Sequence, residues 1–372
     1  MNKRPFLVVF ILFSLTTLGC SHFKTEKNYG DFKFHKKWVR STLKNSYLGF
    51  RHLHRMSPVL TPTLVIAGNA VDGLSAHDRK SGHLVWQLNI RFGVEAGAKL
   101  VDGNLFFGAS DGHFYSVNAE TGQVNWTFPI RSEGLGRPFV KDGTVYFLAG
   151  NNTLYALSAA NGQKKWIYSR NEFKSLSVRG GSTPVVYAGQ LYIGFSDGYF
   201  VSINAKTGQL RWEKLINGNR RFMDVDAPPV VSDGKVYVSG FDDQLICLNL
   251  TDGSLVWRVD QGGYNSVTVY EDKVIYPTTH KQVLVLDKKS GKTLWAYTLK
   301  EGFATAVGTY KGLMIFGESE GSLKAIDLQT QKEVASFNPG RGLASEPSID
   351  QKTGAIFFMS RQANLFSLKL NR

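Results

Sequence analysis

Residues that could support catalysis are scattered along the chain and form no recognised catalytic or metal-binding spacing. The sequence has 8 histidines and 30 acidic residues, but most acids stand in turn motifs, and the histidines form no zinc-type spacing with a second cluster. A calcium site would need several hard oxygen ligands, and acid–base chemistry would need a general base beside them. No Gly-rich phosphate loop is found in the sequence. We therefore expect no catalytic residues, no cofactor and no metal.

A cysteine near the amino end could carry a covalent lipid. Residues 1–4 are basic, and residues 6–18 form an apolar stretch that is too short to span a bilayer comfortably. The hexapeptide LTTLGC at 15–20 resembles a bacterial lipobox, with Thr17 in place of the usual leucine. The resemblance implies cleavage before Cys20 and lipidation of that residue. A simple cleaved signal or an uncut anchor are the alternatives.

The lipobox also suggests a domain organisation. We expect a signal peptide at 1–19, a lipidated tether at 20–31 and one folded domain at 32–372. Ser21 stands where aspartate would retain a lipoprotein in the inner membrane, which implies an outer-membrane anchor on the periplasmic side. Cys247 then has no disulfide partner, and we expect it to be a buried apolar filler.

The chain is strongly basic, with a formal charge of +14. Removal of residues 1–19 leaves 42 basic against 30 acidic residues, a charge of +12. Residues 32–71 contain seven Lys or Arg and no acid. Such a stretch is either drawn to anionic membrane or wall surfaces or is a solvated face that keeps the protein soluble. Nucleic acid is not an expected partner of an exported lipoprotein.

The dominant pattern of the sequence is a repeat marked by tryptophan. Six tryptophans each stand four residues after a glycine, at intervals of 40, 40, 46, 45 and 38 residues: Trp86, Trp126, Trp166, Trp212, Trp257 and Trp295. A period of this size is typical of repeated sheet units that must pack on one another to bury their faces. Tight-turn signals, many of them Asp-Gly pairs, separate short alternating strands within each unit, and Asp197-Gly198 predicts a two-residue hairpin. The sequence therefore predicts an all-β fold of four-stranded antiparallel units.

Two further positions recur in each unit. A slim residue such as Ala76 lies six residues before each glycine. A polar residue such as Asp78 lies two residues after the slim one. We expect the polar side chain to bond the turn backbone and the slim position to make room for a ring from an adjacent blade. The pattern AHDRKSGHLVW at 76–86 is similar to the tryptophan-docking motif of pyrroloquinoline-quinone-type repeats. The resemblance implies a β-propeller.

The number of blades depends on the two chain ends. The seventh unit is degenerate, with Gln331 in the glycine position and Ala335 in the tryptophan position, and the last unit has only three strands. Residues 34–42 can add the missing strand, with Trp38 in the docking position. Closure by both ends would remove the exposed sheet edge. We expect an eight-bladed β-propeller whose last blade is closed by the amino-terminal strand; seven blades with loose tails is the alternative.

Several segments resemble the BamB family of lipoproteins over nearly the whole mature chain. These segments are SLSVRGGSTP at 175–184, MDVDAPPV at 223–230, GLASEP at 342–347 and NLFSL at 364–368. The resemblance implies a non-enzymatic scaffold of the BAM complex, which inserts β-barrel proteins into the outer membrane. It also implies binding to the POTRA region of BamA through the loops that lead into blades four and five. Unfolded outer-membrane proteins are a further possible partner.

Transferred residue by residue, the resemblance gives five partner-binding positions: Leu176, Val178, Arg179, Asp224 and Asp226. Val178 replaces a usual leucine, and Gly181 stands where an acid is common. An apolar pair beside an arginine is typical of a binding hot spot, and the two acids could hold Arg179 or meet partner cations. Alternatively, Leu176 and Val178 are core residues and the acids cap turns. A quinone dehydrogenase relative and a binding propeller of another envelope complex are the alternative functions.

Overall fold

The computed structural model describes residues 32–44, 54–170, 181–217, 223–241, 244–263 and 265–371. These residues form eight four-stranded antiparallel sheets, each ordered from an inner to an outer strand. The inner strands of blades two to six contact one another in succession, and the inner strand of blade eight contacts that of blade seven. In the described part of the chain the regular elements are all strands, and no helix there is long and apolar enough to cross a membrane.

The first four blades follow one another along the chain. Blade one contains β2 Val59–Leu60, β3 Leu64–Asn69, β4 Gly73–Asp78 and β5 Leu84–Asn89; blade two contains β6 Lys99–Val101, β7 Asn104–Gly108, β8 His113–Asn118 and β9 Val124–Pro129. Blade three contains β10 Phe139–Lys141, β11 Thr144–Leu148, β12 Thr153–Ser158 and β13 Lys164–Ser169; blade four contains β14 Val185–Tyr187, β15 Gln190–Gly194, β16 Tyr199–Asn204 and β17 Leu210–Leu215.

The remaining blades include the one that joins the two chain ends. Blade five contains β18 Val230–Ser232, β19 Lys235–Ser239, β20 Leu245–Asn249 and β21 Leu255–Val259; blade six contains β22 Thr268–Tyr270, β23 Lys273–Pro277, β24 Gln282–Asp287 and β25 Thr293–Thr298. Blade seven contains β26 Gly308–Tyr310, β27 Leu313–Gly317, β28 Leu323–Asp327 and β29 Glu333–Phe337; blade eight contains β30 Ser348–Ile349, β31 Ala355–Met359, β32 Asn364–Asn371 and the outer strand β1 Lys33–Ser41.

Closure of the ring follows the sequence prediction. Strand β1 pairs antiparallel with β32, from Lys33 opposite Asn371 to Ser41 opposite Asn364. Trp38 is 7% exposed, and its indole nitrogen donates to the carbonyl of Arg79 in blade one. The eight-bladed prediction is confirmed, and the seven-bladed alternative with loose tails is wrong.

Six of the seven docking tryptophans pack on the glycine turn of the following blade. A Cβ on Gly82, which has a φ of 72°, would lie 2.6 Å from the ring of Trp38, so a side chain there would meet the indole. The same approach recurs around the ring in the pairs Trp86–Gly122, Trp126–Gly162, Trp166–Gly208, Trp212–Gly253 and Trp257–Gly291. Gln331 takes the glycine position of blade seven with a φ of 60°, a strained conformation for a side chain of its type.

The slim residue does not have the neighbour that we expected. It is the register partner of the tryptophan of its own blade: Ala76 lies opposite Trp86, and Cys247 opposite Trp257. The tryptophan ring of the preceding blade packs on the glycine turn and not on the slim residue. In blade seven both residues of this pair are small, because Ala325 lies opposite Ala335, which takes the tryptophan position. Cys247 is fully buried and free, as predicted, and burial raises the pKa of its thiol to about 11.

The polar turn residue acts as predicted, whereas the Asp-Gly pairs divide into two groups. The Asp78 carboxylate accepts hydrogen bonds from the amides of Lys80 and Ser81. Pairs such as Asp102-Gly103 have positive φ at both residues, which is typical of a primed turn. The prediction of a two-residue hairpin at Asp197-Gly198 is wrong, because β15 ends at Gly194 and β16 begins at Tyr199. The Asp197 carboxylate takes part in an ion pair, described below.

Candidate functional site

The blades present two different faces at the ends of their strands. In blade two, the amide of Ala119 donates to the carbonyl of Gly103, which joins the two tight turns of the blade on one face. The amide of Ile130 donates to the carbonyl of Gly112, which joins the connection to blade three with the middle hairpin on the other face. We call these the turn face and the loop face. The connections that lead into blades four and five belong to the loop face.

The structure describes only part of the predicted partner-binding set. Leu176, Val178 and Arg179 lie outside the described residues. Asp224 and Asp226 lie in the described connection between β17 of blade four and β18 of blade five, and Asp226 lines the central channel. The frame around both connections is described, and its contacts are given below.

A buried ion-pair cluster precedes the connection into blade four. Arg170 directly follows β13, and its guanidinium group donates to the carboxylates of Asp197 and Glu213. Its side chain is 14% exposed and that of Asp197 is 3% exposed, whereas Glu213 is open to solvent at 39%. Burial opposes the charge of Arg170, but the hydrogen bonds to Glu213 and Asp197 outweigh burial and raise its pKa.

Aromatic rings complete the surroundings of Arg170. The guanidinium carbon lies 4.7 Å from the ring centroid of Tyr199 and 5.7 Å from that of Phe195. Such cation–π contacts add to the ion pairs in fixing a planar guanidinium group. Because Asp197, Tyr199 and Phe195 belong to blade four, the cluster joins the end of blade three to blade four.

A glycine pair holds the chain where the same connection ends. Gly181 forms a parallel bridge with Gly136, which lies in the connection into blade three. A Cβ on Gly181 would lie 2.8 Å from the backbone nitrogen of Gly136, so the two backbones touch with no room for a side chain. This contact gives a reason for glycine at 181 where the resemblance leads one to expect an acid, since a larger residue would push the two connections apart.

The connection into blade five packs against blade four. Val225 is fully buried, and its amide donates to the carbonyl of Phe195. Its side chain lies over Gly194, where a Cβ would meet the atoms of Val225. Asp224 is 0% exposed, and its backbone carbonyl accepts from the amide of Phe241. The side chain of Asp224 is therefore part of the support of the connection and is not on the open surface.

Asp226 faces the central channel. One of its carboxylate oxygens, Oδ2, is inaccessible to solvent and has no hydrogen-bond partner. Burial, reinforced by the nearby charge of Asp224, raises the pKa of Asp226 to about 8, although Arg55 opposes the shift. An unpaired buried oxygen of this kind is costly to a fold and is a position where a cationic group would be favourable.

The channel is a cavity of about 780 Å³ to which all eight blades contribute. Its charged lining is balanced, with four basic and four acidic residues: Arg55, Lys99, Arg137, Arg361, Glu95, Asp226, Glu320 and Glu346. A second cavity of about 380 Å³ shares Lys99, Arg137 and Glu346 with the first. Burial raises the pKa of Glu346, and the positive charge of Arg137 opposes this shift. Burial and the charge of Arg137 both lower the pKa of Lys99.

The side chains that line the channel can be compared with the metal ligands that the dehydrogenase alternative requires. No group of three or more His, Cys, Asp or Glu side chains among the described residues could hold a metal ion. A quinone cofactor with calcium would need such a group of oxygen ligands. The lining instead mixes cations with single acids, so the described residues do not fit a calcium–quinone site.

Sequence reasoning missed the Arg170 cluster and the channel charges. The sequence indicates only a turn at Asp197, because glycine follows it. Asp197 belongs to the next blade, and the docking of blades three and four places it beside Arg170, which lies 27 positions earlier in the chain. The sequence does show that an arginine, Arg170, comes directly after the outer strand that contains Trp166, where blade three ends.

Comparison with known proteins places this propeller in a family. A sequence model described as "Outer membrane protein assembly factor BamB" matches residues 70–297 and 247–334, more than half of the chain. The chain belongs to the BamB family of outer membrane protein assembly factors. The BamB protein of Salmonella typhimurium is 28% identical over 396 residues, which cover 97% of this chain and 100% of that protein.

Solved structures support the fold assignment. The crystal structure of BamB from Moraxella catarrhalis is similar with a TM-score of 0.77 at 18% identity, covering 90% of this chain and 99% of that one. A quinohemoprotein alcohol dehydrogenase from Comamonas testosteroni is similar with a TM-score of 0.70 at 13% identity, covering 90% of this chain and 76% of that one. At these identities the likeness shows the propeller fold alone, and the family match separates this BamB-family chain from the enzymes.

Proposed function

We propose that the protein is a lipid-anchored scaffold of the outer-membrane β-barrel assembly machine, held on the periplasmic side of the outer membrane through Cys20. In this proposal it binds the POTRA region of BamA with the loop face at blades four and five and supports insertion of β-barrel proteins. The single observation that carries the proposal is the family match over more than half of the chain. The protein performs no catalysis in this account.

The described frame suits a loop that must present a few side chains in a fixed place. Arg170 is tied to two carboxylates and two rings at one end of residues 171–180, and Gly181 is tied to Gly136 at the other. A binding segment held at both ends loses less conformational freedom when its partner docks. Leu176 and Val178 would supply the apolar anchor, and Arg179 would supply the charged hydrogen-bond donors.

The two acids would contribute in different ways. Asp224, being fully buried, supports the connection into blade five and does not itself reach a partner. Asp226 lines the mouth of the channel with an unpaired oxygen. A partner lysine or arginine placed there would favour the ionised carboxylate, which lowers the pKa of Asp226 from about 8 and releases a proton on binding.

The proposal is tested by co-purification from membranes. Arg179→Glu reverses the charge at the expected contact, and it should abolish recovery of BamA with the tagged protein. Arg258→Glu is a matched control, because Arg258 is 59% exposed on the outer strand of blade five and pairs weakly with Asp260. Equal recovery of BamA with both variants would contradict the proposed surface.

A further inference from the structure

A basic two-stranded ribbon projects from blade eight on the turn face. In blade one the outer strand β5 begins at Leu84, two residues before its docking tryptophan. Strand β1 begins five residues before Trp38, at Lys33, so it extends three residues further. Strand β32 extends with it, and the pairs Lys33–Asn371 and His35–Lys369 continue the ladder. In blade one the tight turn closed by Gly82 occupies this place.

The exposed side chains of this ribbon are predominantly cationic. Lys33, Lys36, Lys37 and Lys369 are exposed, as is His35. Neither β1 nor β32 contains an acidic residue. Exposed lysines also stand in the two adjoining turns, at 80 and at 352.

Two acids near the ribbon, among the residues that the structure describes, are already engaged. Asp350 forms an ion pair with Arg79, and the Asp78 carboxylate accepts hydrogen bonds from its own turn. Arg40 donates to the carbonyls of Ser81 and Gly82, which fixes β1 against blade one. The ribbon is thus a rigid edge with a surplus of positive charge.

The outer strands of most other blades differ at the equivalent positions. Leu84 and Val85 stand there in blade one and Leu255 in blade five, all about half exposed, and in blade four a half-exposed Leu210 stands beside an exposed arginine at 211. Blade three alone among the other described outer strands has two lysines there, at 164 and 165, and Lys165 donates to Thr144. The lysines of blade eight are therefore not a general property of the outer strands in this ring.

We propose that this ribbon rests on anionic phospholipid headgroups and so sets which edge of the propeller faces the bilayer. The inference rests on the lipid anchor of the proposed function. Only 12 residues separate Cys20 from Lys33 in the sequence, and a random-coil chain of 12 residues spans roughly 20 Å on average. An anchor at that distance would let the lysines approach to within about 10 Å of an anionic surface, the range over which they are attracted to it at 0.1 M salt.

The test uses vesicles without any other protein, so that it is independent of BamA binding. The chain from Ser21 to Arg372 keeps every strand of the closed ring and lacks only the leader and the lipid. We expect it to co-sediment with vesicles of phosphatidylcholine and phosphatidylglycerol, to remain in solution with phosphatidylcholine alone, and to be released by added salt. The triple variant Lys36→Glu, Lys37→Glu, Lys369→Glu should bind the anionic vesicles about tenfold less tightly or worse.

A matched variant separates a local site from net charge. Lys206→Glu, Lys289→Glu, Lys292→Glu makes the same charge change at exposed residues on the turn face of blades four and six, and it should bind nearly as well as the unaltered chain. Equal loss in both triples, or no binding by the unaltered chain, would show that the ribbon is a solvated edge that only discourages strand pairing. Glutamine at 36, 37 and 369 replaces the glutamate triple if circular dichroism shows that the latter fails to fold.

The ribbon variants also keep the two proposals apart. Their binding to BamA should be unchanged, because the ribbon lies on the turn face and the proposed BamA contact lies on the loop face. Loss of vesicle binding with retained BamA binding supports the ribbon. Retained vesicle binding by the glutamine triple overturns it, whatever the outcome for BamA.

Discussion

The indole ring of Trp38 packs on Gly82, so the strand nearest the amino end locks blade eight to blade one. The same ring donates a hydrogen bond of 3.1 Å to the carbonyl of Arg79. Phe357 of blade eight lies 6.0 Å from it between centroids, and His77 of blade one lies 6.4 Å from it. One side chain thus contacts both sides of the closure.

Trp38→Ala should open this junction. We expect the free energy of unfolding to fall by about 3–5 kcal/mol, the usual cost of removing a buried aromatic side chain. Urea denaturation followed by circular dichroism measures the change. Leu84→Ala is the control, because Leu84 is 55% exposed and its removal should change the free energy little. Similar values for both variants would mean that Trp38 does not hold the ring closed.

The Arg170 cluster should be strongly coupled. Arg170→Met leaves the carboxylate of Asp197, 3% exposed, without its cation, and should lower the free energy of unfolding by about 3–5 kcal/mol. Adding Asp197→Asn should recover part of this loss, because the unpaired charge is removed. A double-mutant cycle by urea denaturation measures the coupling, expected at about 1–3 kcal/mol. Additive single effects would contradict a buried ion pair.

Asp226 should make stability depend on pH. Its folded-state pKa of about 8 lies above the ordinary value, so the folded protein keeps a proton that the unfolded chain releases. Its contribution to stability is fully present below about pH 4 and is lost as the pH rises through 8. Asp226→Asn should therefore match the unaltered protein near pH 4 and exceed it increasingly as the pH rises, by at least about 1–3 kcal/mol near pH 9.

Calorimetry at the two pH values measures this effect on Tm. Asp260→Asn is the control, since Asp260 is 78% exposed and should give no pH-dependent difference. A constant difference between Asp226→Asn and the unaltered protein from pH 4 to 9 would mean that Asp226 is ionised throughout.

The fold was predictable because its signals repeat. Each tryptophan predicted one blade, and Trp38 supplied the strand that the last unit lacked, since a ring needs both ends paired. The partner of the slim position was harder to predict. Spacing alone does not distinguish a ring on the same sheet from a ring on the next sheet, and Ala76 proved to lie opposite Trp86 of its own blade.

The candidate site was less predictable than the fold. Asp224 and Asp226 are two residues apart in sequence, yet one is buried in the support of its connection and the other faces the channel. The backbone at Asp224 and Val225 is held by hydrogen bonds to Phe241 and Phe195, which belong to different hairpins. Arg170 likewise meets Asp197 and Glu213 only after blades three and four are docked. Such contacts follow from three-dimensional register, which no local motif encodes.

The central claim is that the loop face at blades four and five binds BamA. Titration calorimetry between the purified chain and the periplasmic POTRA region of BamA tests it most directly, with Arg179→Glu compared against Arg258→Glu. The account predicts saturable binding that Arg258→Glu preserves and that Arg179→Glu weakens at least about a hundredfold, the loss typical of a hot-spot residue. Equal affinity of the two variants, with both folded, would contradict it.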